Sequence, residues 1–425
     1  MLGKRNIYLD NAGATRMDCR VARKMALVGK RFFANPSAIH SEGVKARNII
    51  EESRKKIAGL INAHSDEIIF TGSGTESVAL AISGIIKNYE LRIKNEKVEY
   101  KIPHIITSKI EHPAVLENCK MLEERGEAEV TYIGVDENGI IDFKELKESL
   151  KENTVLVSVM YANNEIGTVQ PIEEIAKIIR HFRKMRKISQ IPGIWESHIP
   201  GIWETPFFHT DACQAMNYLF TENIEKLGVD MLSFNSSKIY GPKGVGVLYK
   251  KRGVEISPLY GGGGQEFGLR SGTESVPLVV GLTEAFDIAN KIKEKESIRL
   301  TEIRDYGIEK LLSLSKTSGY EIILNGDKVN RLPNNINISI SDISSELLVI
   351  ELSARGIIVS EKSACKSNDD NNSYVVKAIR ENAESKILGL DNSLRISLGR
   401  QTKKKDIDIL VRELSRILSK YKDWK

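Results

Sequence analysis

Short apolar runs alternate with helix-patterned stretches from about Glu67 to Tyr249, and this alternation limits the possible folds more than any other property of the chain. Ile68-Ile69-Phe70 precedes a helix expected from Thr75. Ile105-Ile106-Thr107 precedes one after His112, and Val155 to Val159 precedes one from Ile172. Strand and helix in strict succession imply an α/β domain with a largely parallel sheet and helices on both faces. Ligands of such sheets bind beyond the carboxyl ends of the strands, and the polar, small-residue clusters of this chain fall at those ends. From about Pro277 the texture changes. A long helical region runs to about Ser315. Strands follow over Tyr320 to Leu324 and Asn334 to Ile340, then a helix over Glu346 to Arg355, and a last strand and helix from Leu394 to Tyr421. We expect a large α/β domain over 17–275 and a smaller α+β domain built from 1–16 and 276–425. A chain of 425 residues is long enough for both.

The charge balance, 62 basic against 57 acidic residues, is too even to argue for nucleic acid. No apolar run is long enough to cross a bilayer, and the N-terminal MLGKRNIYLDNAGATR has no apolar stretch of signal-peptide length, so a cytoplasmic protein is expected. The four cysteines, Cys19, Cys119, Cys213 and Cys365, are far apart and form no CxxC pair, which fits a reducing compartment and suggests neither a zinc site nor a disulfide framework. IPGIWE over 191–196 recurs over 199–204, too short for a repeat architecture, and reads as a duplicated loop inserted at about 186–206.

Chemistry concentrates at the strand exits. The stretch Val229 to Gly246 begins as a buried strand, turns polar at Asn235-Ser236-Ser237, presents Lys238, and ends in Gly241-Pro242-Lys243-Gly244. A lysine held there, beside hydroxyls, has the layout of one that captures a carbonyl coenzyme. Thr71-Gly72-Ser73-Gly74-Thr75 opens a helix and is a phosphate cradle in type, with neither GxxxxGK[ST] nor GxGxxG present. Ser108-Lys109-Ile110-Glu111 has capping-box spacing, which would set His112 at the mouth of the sheet, where an imidazole can stack on a flat ring or move protons. Asn163-Asn164-Glu165 suits a ligand or a turn equally. Asp211, after Phe207-Phe208, is placed either to end the strand in an Asx turn or to hold a pyridine nitrogen, with Gln214 near a ring oxygen. Cys365 lies in a polar loop between Lys362 and Lys366, which favours a thiolate, whereas the other three cysteines read as ordinary core residues. Arg395, inside an apolar strand, needs an anionic partner if buried, and a substrate carboxylate is a natural one.

In this order the stretches YLDNAGATR, NPSAIHSEG, FTGSGTES, NNEIGTVQP, HTDACQ, SFNSSKIYGPKGVG, SACKS and LRISLGR resemble those of the cysteine desulfurases, a branch of the fold-type-I, class-V aminotransferase enzymes that use pyridoxal phosphate. The long loop around Cys365 resembles that of the housekeeping iron-sulfur and nitrogen-fixation group. The resemblance implies a mainly parallel seven-stranded sheet. It implies that Lys238 binds the coenzyme covalently, that His112 stacks on its ring and assists proton transfer, and that Asp211 pairs with its ring nitrogen. Gln214 and Asn164 would contact the ring oxygen side; Gly74, Thr75, Ser236 and Ser237 would bind its phosphate, joined by Thr273 from the partner of a homodimer. Arg395 would hold the carboxylate of L-cysteine with Asn35 close by. Cys365 would be the nucleophile that carries sulfur as a persulfide to an iron-sulfur scaffold or a tRNA-thiolation protein, and a possible shared iron-sulfur ligand. The alternative readings of this chain on the same scaffold are a selenocysteine lyase and a non-catalytic sulfur-trafficking partner. The chain departs from the family at Asn235-Ser236-Ser237, where Ser-Gly-His is usual, so that Ser237 supplies one hydrogen bond and no imidazolium charge. It departs again at Lys362, where a small residue is usual.

Overall fold

The computed structural model describes residues 6–96, 101–188, 205–219, 221–361, 373–381 and 392–422. Its first half runs β1 (Ile7–Tyr8), α1 (Cys19–Arg31), α2 (Ser41–Leu60), β2 (Ile68–Thr71), α3 (Gly74–Glu96), β3 (His104–Ser108), α4 (Pro113–Glu124), β4 (Glu129–Ile133), α5 (Phe143–Ser149), β5 (Thr154–Ser158) and α6 (Ile172–Ile188). It continues β6 (Phe207–Asp211), α7 (Ile224–Leu227), β7 (Met231–Asn235), β8 (Gly246–Lys250), α8 (Val276–Ser313), α9 (Ser315–Ser318), β9 (Ile322–Leu324) and β10 (Asn335–Ile340). The last elements are α10 (Ser345–Ala354), β11 (Ile357–Ile358), α11 (Tyr374–Glu381), β12 (Leu394–Ser397) and α12 (Lys404–Lys422). The duplicated IPGIWE stretch and Cys365 lie outside the described residues.

Seven strands form the large sheet in the order β2-β8-β7-β6-β5-β3-β4. From β7 to β4 neighbours pair in parallel, and β8 runs antiparallel to both β7 and β2. The apolar runs are continuous because the sheet is covered on both sides, and successive side chains enter different cores. Ile68 and Phe70 point into one core and Ile69 into the other; Ile106 and Ile105 divide in the same way. The parallel strands β3, β5, β6 and β7 therefore end side by side on one edge, and that edge carries the site.

A second sheet, β12-β10-β9, is antiparallel, and β1 pairs in parallel with β11. Leu9, Leu300, Leu311, Ile336, Ile396 and Leu414 belong to a separate core beneath it. Helix α8 serves both units. Its first half places Val276 and Phe286 in the large core, and its second half places Leu300 and Leu311 in the small one. Phe286 meets Phe234 of β7 with ring centroids 5.2 Å apart, which braces the strand that leads into Lys238. Burying a phenylalanine of this kind stabilises the fold by about 2–3 kcal/mol. No helix among the described residues is long and apolar enough to cross a membrane.

Candidate active site

Lys238 ends a tight turn, Ser236–Lys238, directly after β7. Its Nζ donates to the carbonyl oxygen of Ala12 at 2.8 Å and also to that of Gly13. Both carbonyls belong to the N-terminal segment, which folds back across the sheet edge. The lysine faces a cavity whose walls come from several strand exits: Gly74 and Thr75 after β2, His112 after β3, Asn164 after β5, Asp211 and Gln214 at the end of β6, with Arg395 from β12. Eight residues singled out in the sequence thus meet in one place.

The turn geometry explains which neighbours of Lys238 join it. A 3-10 turn has three residues per turn, so side chains three apart share a direction. Asn235 and Lys238 both face the cavity. Ser236 and Ser237 do not line it, which corrects their expected place at the phosphate. The Ser236 hydroxyl is buried against Gly241, and the Ser237 hydroxyl donates to Asn235 Oδ1 at 3.2 Å. Asn35 and Thr273 are likewise absent from the cavity wall of their own chain, and both are exposed. Asn35 accepts from the Ser37 amide instead.

His112 is the N-cap of α4, with Pro113 in the first turn. Its Nδ1 accepts from the Ala114 amide at 3.1 Å, so in the neutral ring the proton sits on Nε2. This corrects the expected capping box: Ser108 does not cap the helix, and its hydroxyl donates to Glu111 Oε1 at 2.7 Å. Burial pushes the His112 imidazole below its usual range, Asp211 opposes the shift, and the Lys238 and Arg395 cations add to it. Glu111 is fully enclosed. Its Oε1 also accepts from the Met160 amide at 2.9 Å, its Oε2 has no hydrogen-bond partner, and burial pushes its carboxyl up to about 8.

Both open readings of the polar turns hold, residue by residue. Asn163 makes the turn, accepting from the amides of Glu165 and Ile166, while Asn164 faces the cavity. Asp211 accepts from the Cys213 amide at 2.9 Å as an Asx turn does, and it also lines the cavity. Cys213 corrects the expectation of an ordinary core cysteine, because it too is cavity wall. Burial, reinforced by Asp211, pushes its thiol well above the ordinary range, so it stays protonated. Cys19 is exposed and Cys119 is buried. Gln214 donates to the Ala12 carbonyl at 3.0 Å. Sequence reasoning left seven wall residues out of the site: Ala12, Gly13, Ala114, Met160, Ala162, Cys213 and Asn235. Only Asn235 carried a usable signal, its position three residues before Lys238.

Three features show that pyridoxal phosphate fits these residues. Gly74 opens α3, where backbone amides have no helical partner and the dipole favours an anion. A Cβ there would come within 2.9 Å of both Asn235 Nδ2 and Cys213 Sγ, so the glycine keeps the cradle open. Asn164 Oδ1 is buried in the wall without a hydrogen-bond partner.

A lysine at the carboxyl edge of a mainly parallel seven-stranded sheet, with an imidazole, a carboxylate and a helix N-terminus around it, defines a fold-type-I pyridoxal-phosphate enzyme. More narrowly, the chain belongs to the class-V aminotransferase family, whose model matches residues 7–186 and 202–410 and passes over 187–201, where the first IPGIWE copy lies. It is 41% identical over 420 residues to the cysteine desulfurase IscS of Dictyoglomus turgidum, covering 98% of this chain and 95% of that one. It is 38% identical to the IscS of Methanosarcina thermophila, covering 98% and 93%. Among solved structures, a NifS-like protein superposes with a TM-score of 0.82 at 32% identity, covering 97% of this chain and 99% of that one. A structure described as SspA in complex with cysteine superposes with a TM-score of 0.70 at 33% identity, covering 92% and 98%.

Proposed function

We propose that this chain is a cysteine desulfurase that converts L-cysteine to L-alanine and leaves the sulfur as a persulfide on Cys365. The observation that carries the reading is the meeting of Lys238, His112, Asp211 and Arg395 in one cavity, in a chain 41% identical to a protein named cysteine desulfurase. Pyridoxal phosphate, when bound, supplies an aldehyde for the substrate amine and a ring that accepts the electron pair freed at the α-carbon. Gly74, Thr75 and Asn235 would hold its phosphate, Asp211 its ring nitrogen, and Asn164 and Gln214 its ring oxygen. Arg395 binds the substrate carboxylate. The Lys238 amine and the His112 imidazole, which burial keeps neutral, hold and move the α-proton.

The Cys365 thiolate then attacks the substrate sulfur. The carbon–sulfur bond breaks as the sulfur–sulfur bond forms, alanine leaves, and no external oxidant is required. Chain length supports this assignment. Ser360 exchanges two backbone hydrogen bonds with Arg395, at 3.1 and 2.7 Å, so it sits beside the cavity. Cys365 follows five residues later, and five residues of chain reach about 17 Å.

The same proposal includes the two units, 17–275 for the coenzyme and 1–16 with 276–425 for the reactive cysteine, with α8 shared. It includes a cytoplasmic homodimer in which Thr273, exposed on its own chain, reaches the partner's phosphate. The persulfide would pass to an iron-sulfur scaffold or a tRNA-thiolation protein. Incubation with L-cysteine followed by mass spectrometry tests the reading. One added sulfur on the Cys365 peptide is expected, and Cys365→Ala should keep the yellow coenzyme while losing turnover. Undiminished alanine formation by that variant would refute the role of Cys365.

A further inference from the structure

Helix α11 begins immediately after the stretch that contains Cys365, and the hydroxyls of its cap and first residue both bond residues that adjoin the cavity wall. Ser373 is buried and caps the helix, its Oγ accepting from the Val376 amide at 3.1 Å. A cap needs only that oxygen as acceptor. The Ser373 hydroxyl hydrogen goes elsewhere, to Oε2 of Glu165 at 2.6 Å. The Tyr374 hydroxyl donates to the backbone carbonyl of Glu111, also at 2.6 Å. Each acceptor is the immediate chain neighbour of a cavity residue, Glu165 of Asn164 and Glu111 of His112. Consecutive Cα atoms are about 3.8 Å apart, so these contacts fix where α11 starts relative to the coenzyme site.

The two acceptor residues are also tied through their other polar atoms. Glu111 Oε1 is held by Ser108 and by the Met160 amide, and the Glu165 carbonyl accepts from Asn335 and Asn337 at 3.0 and 3.1 Å. The wall is cross-tied as well, since Asn163 Nδ2 donates to the Ile110 carbonyl at 2.8 Å. An α11 that needed only hydrophobic packing has it already from Val375, Val376 and Ile379, all in the large core.

We propose that Ser373 and Tyr374 are positioning residues for sulfur transfer, their hydroxyls registering the root of the Cys365 segment on Glu165 and Glu111 beside Asn164 and His112. The inference rests on Cys365 as the nucleophile. The test uses holoenzyme, L-cysteine as probe, and two readouts on each variant: cysteine affinity from the change in coenzyme absorbance, and the single-turnover rate of sulfur gain on Cys365 by mass spectrometry. Tyr374→Phe and Ser373→Ala should leave cysteine affinity unchanged and slow sulfur gain by roughly tenfold, because small misplacements of reacting groups are costly. Ser373→Thr keeps a hydroxyl that caps and donates, and it should restore the rate. Wild-type rates in both hydroxyl-less variants would overturn the proposal, and so would equal losses of affinity and rate, which would mark a general structural role. Cys365→Ala run in parallel separates the two ideas. If alanine is still formed without Cys365, the nucleophile assignment fails, and the positioning role fails with it.

Discussion

Arg395 and Asp10 form an ion pair at 2.9 Å inside the candidate site, with the guanidinium 2% exposed. The buried arginine therefore meets its need for an anion within its own chain, where the sequence had pointed to the substrate. Nη1 donates to the Asn164 carbonyl at 3.1 Å, and Nε is buried without a partner. A substrate carboxylate then shares the guanidinium with Asp10 or displaces it. Asp10→Asn should lower KM for cysteine severalfold, because the competing carboxylate is gone. It should also lower the melting temperature, because a buried cation loses its counter-charge. Arg395→Ala should raise KM about a hundredfold, the equivalent of roughly 3 kcal/mol for a charge-assisted pair. Steady-state kinetics on coenzyme-saturated protein decide it, and a higher KM in Asp10→Asn would show that the pair helps to seat the substrate.

Gly74 provides a test of coenzyme fit that does not depend on turnover. A methyl group there would meet Asn235 Nδ2 and Cys213 Sγ at 2.9 Å, closer than Cβ contacts allow, and would project into the phosphate cradle. Gly74→Ala should raise the dissociation constant for pyridoxal phosphate at least about tenfold in equilibrium dialysis, since both packing and the approach to the helix amides are lost. The fold should persist by circular dichroism. Unchanged affinity would place the phosphate elsewhere.

The strand exits were legible because apolar runs and polar turns fix both the sheet and its ligand edge. Lys238, His112, Asp211, Asn164, Gln214, Gly74 and Thr75 lie at those exits and line the cavity, whereas Arg395 reaches it from inside β12. What stayed hidden followed from local geometry that composition does not carry. Ser236 and Ser237 were expected at the phosphate, yet in the tight turn Asn235 lines the cavity and they do not. The contacts of Lys238 with Ala12 and Gly13 are to backbone carbonyls more than 220 positions away, and carbonyls leave no mark on residue type. The Asp10 pairing was hidden for a related reason. It depends on β12 lying beside the N-terminal segment, a contact between the two ends of the chain.

Glu111 should leave a signature in the pH dependence of stability. Its carboxyl is raised to about 8 in the folded protein, above its unfolded value of 4.5. Between those values the folded state binds the extra proton, so stability falls as pH rises from about 4.5 to 8. The loss reaches roughly 3 kcal/mol by pH 7. Glu111→Gln cannot ionise. The drop in melting temperature between pH 5 and pH 8 should therefore be smaller in the variant, whatever its absolute stability. Parallel melting curves across that range would mean that Glu111 is not the group being titrated.

Cys213 is the thiol in the cavity wall among the described residues, and the environment argues that it is inert. It is walled in beside Asp211, whose charge reinforces the burial that keeps the thiol protonated, and a protonated thiol neither attacks sulfur nor alkylates readily. Brief iodoacetamide treatment of the folded protein should label exposed Cys19 and leave Cys213 and buried Cys119 unmodified, with all of them reacting after denaturation. Cys213→Ala should retain persulfide formation to within about twofold, the loss coming from one missing sulfur in the wall. Sulfur found on the Cys213 peptide after incubation with cysteine would reverse the assignment, making the wall thiol the acceptor and leaving Cys365 a later carrier.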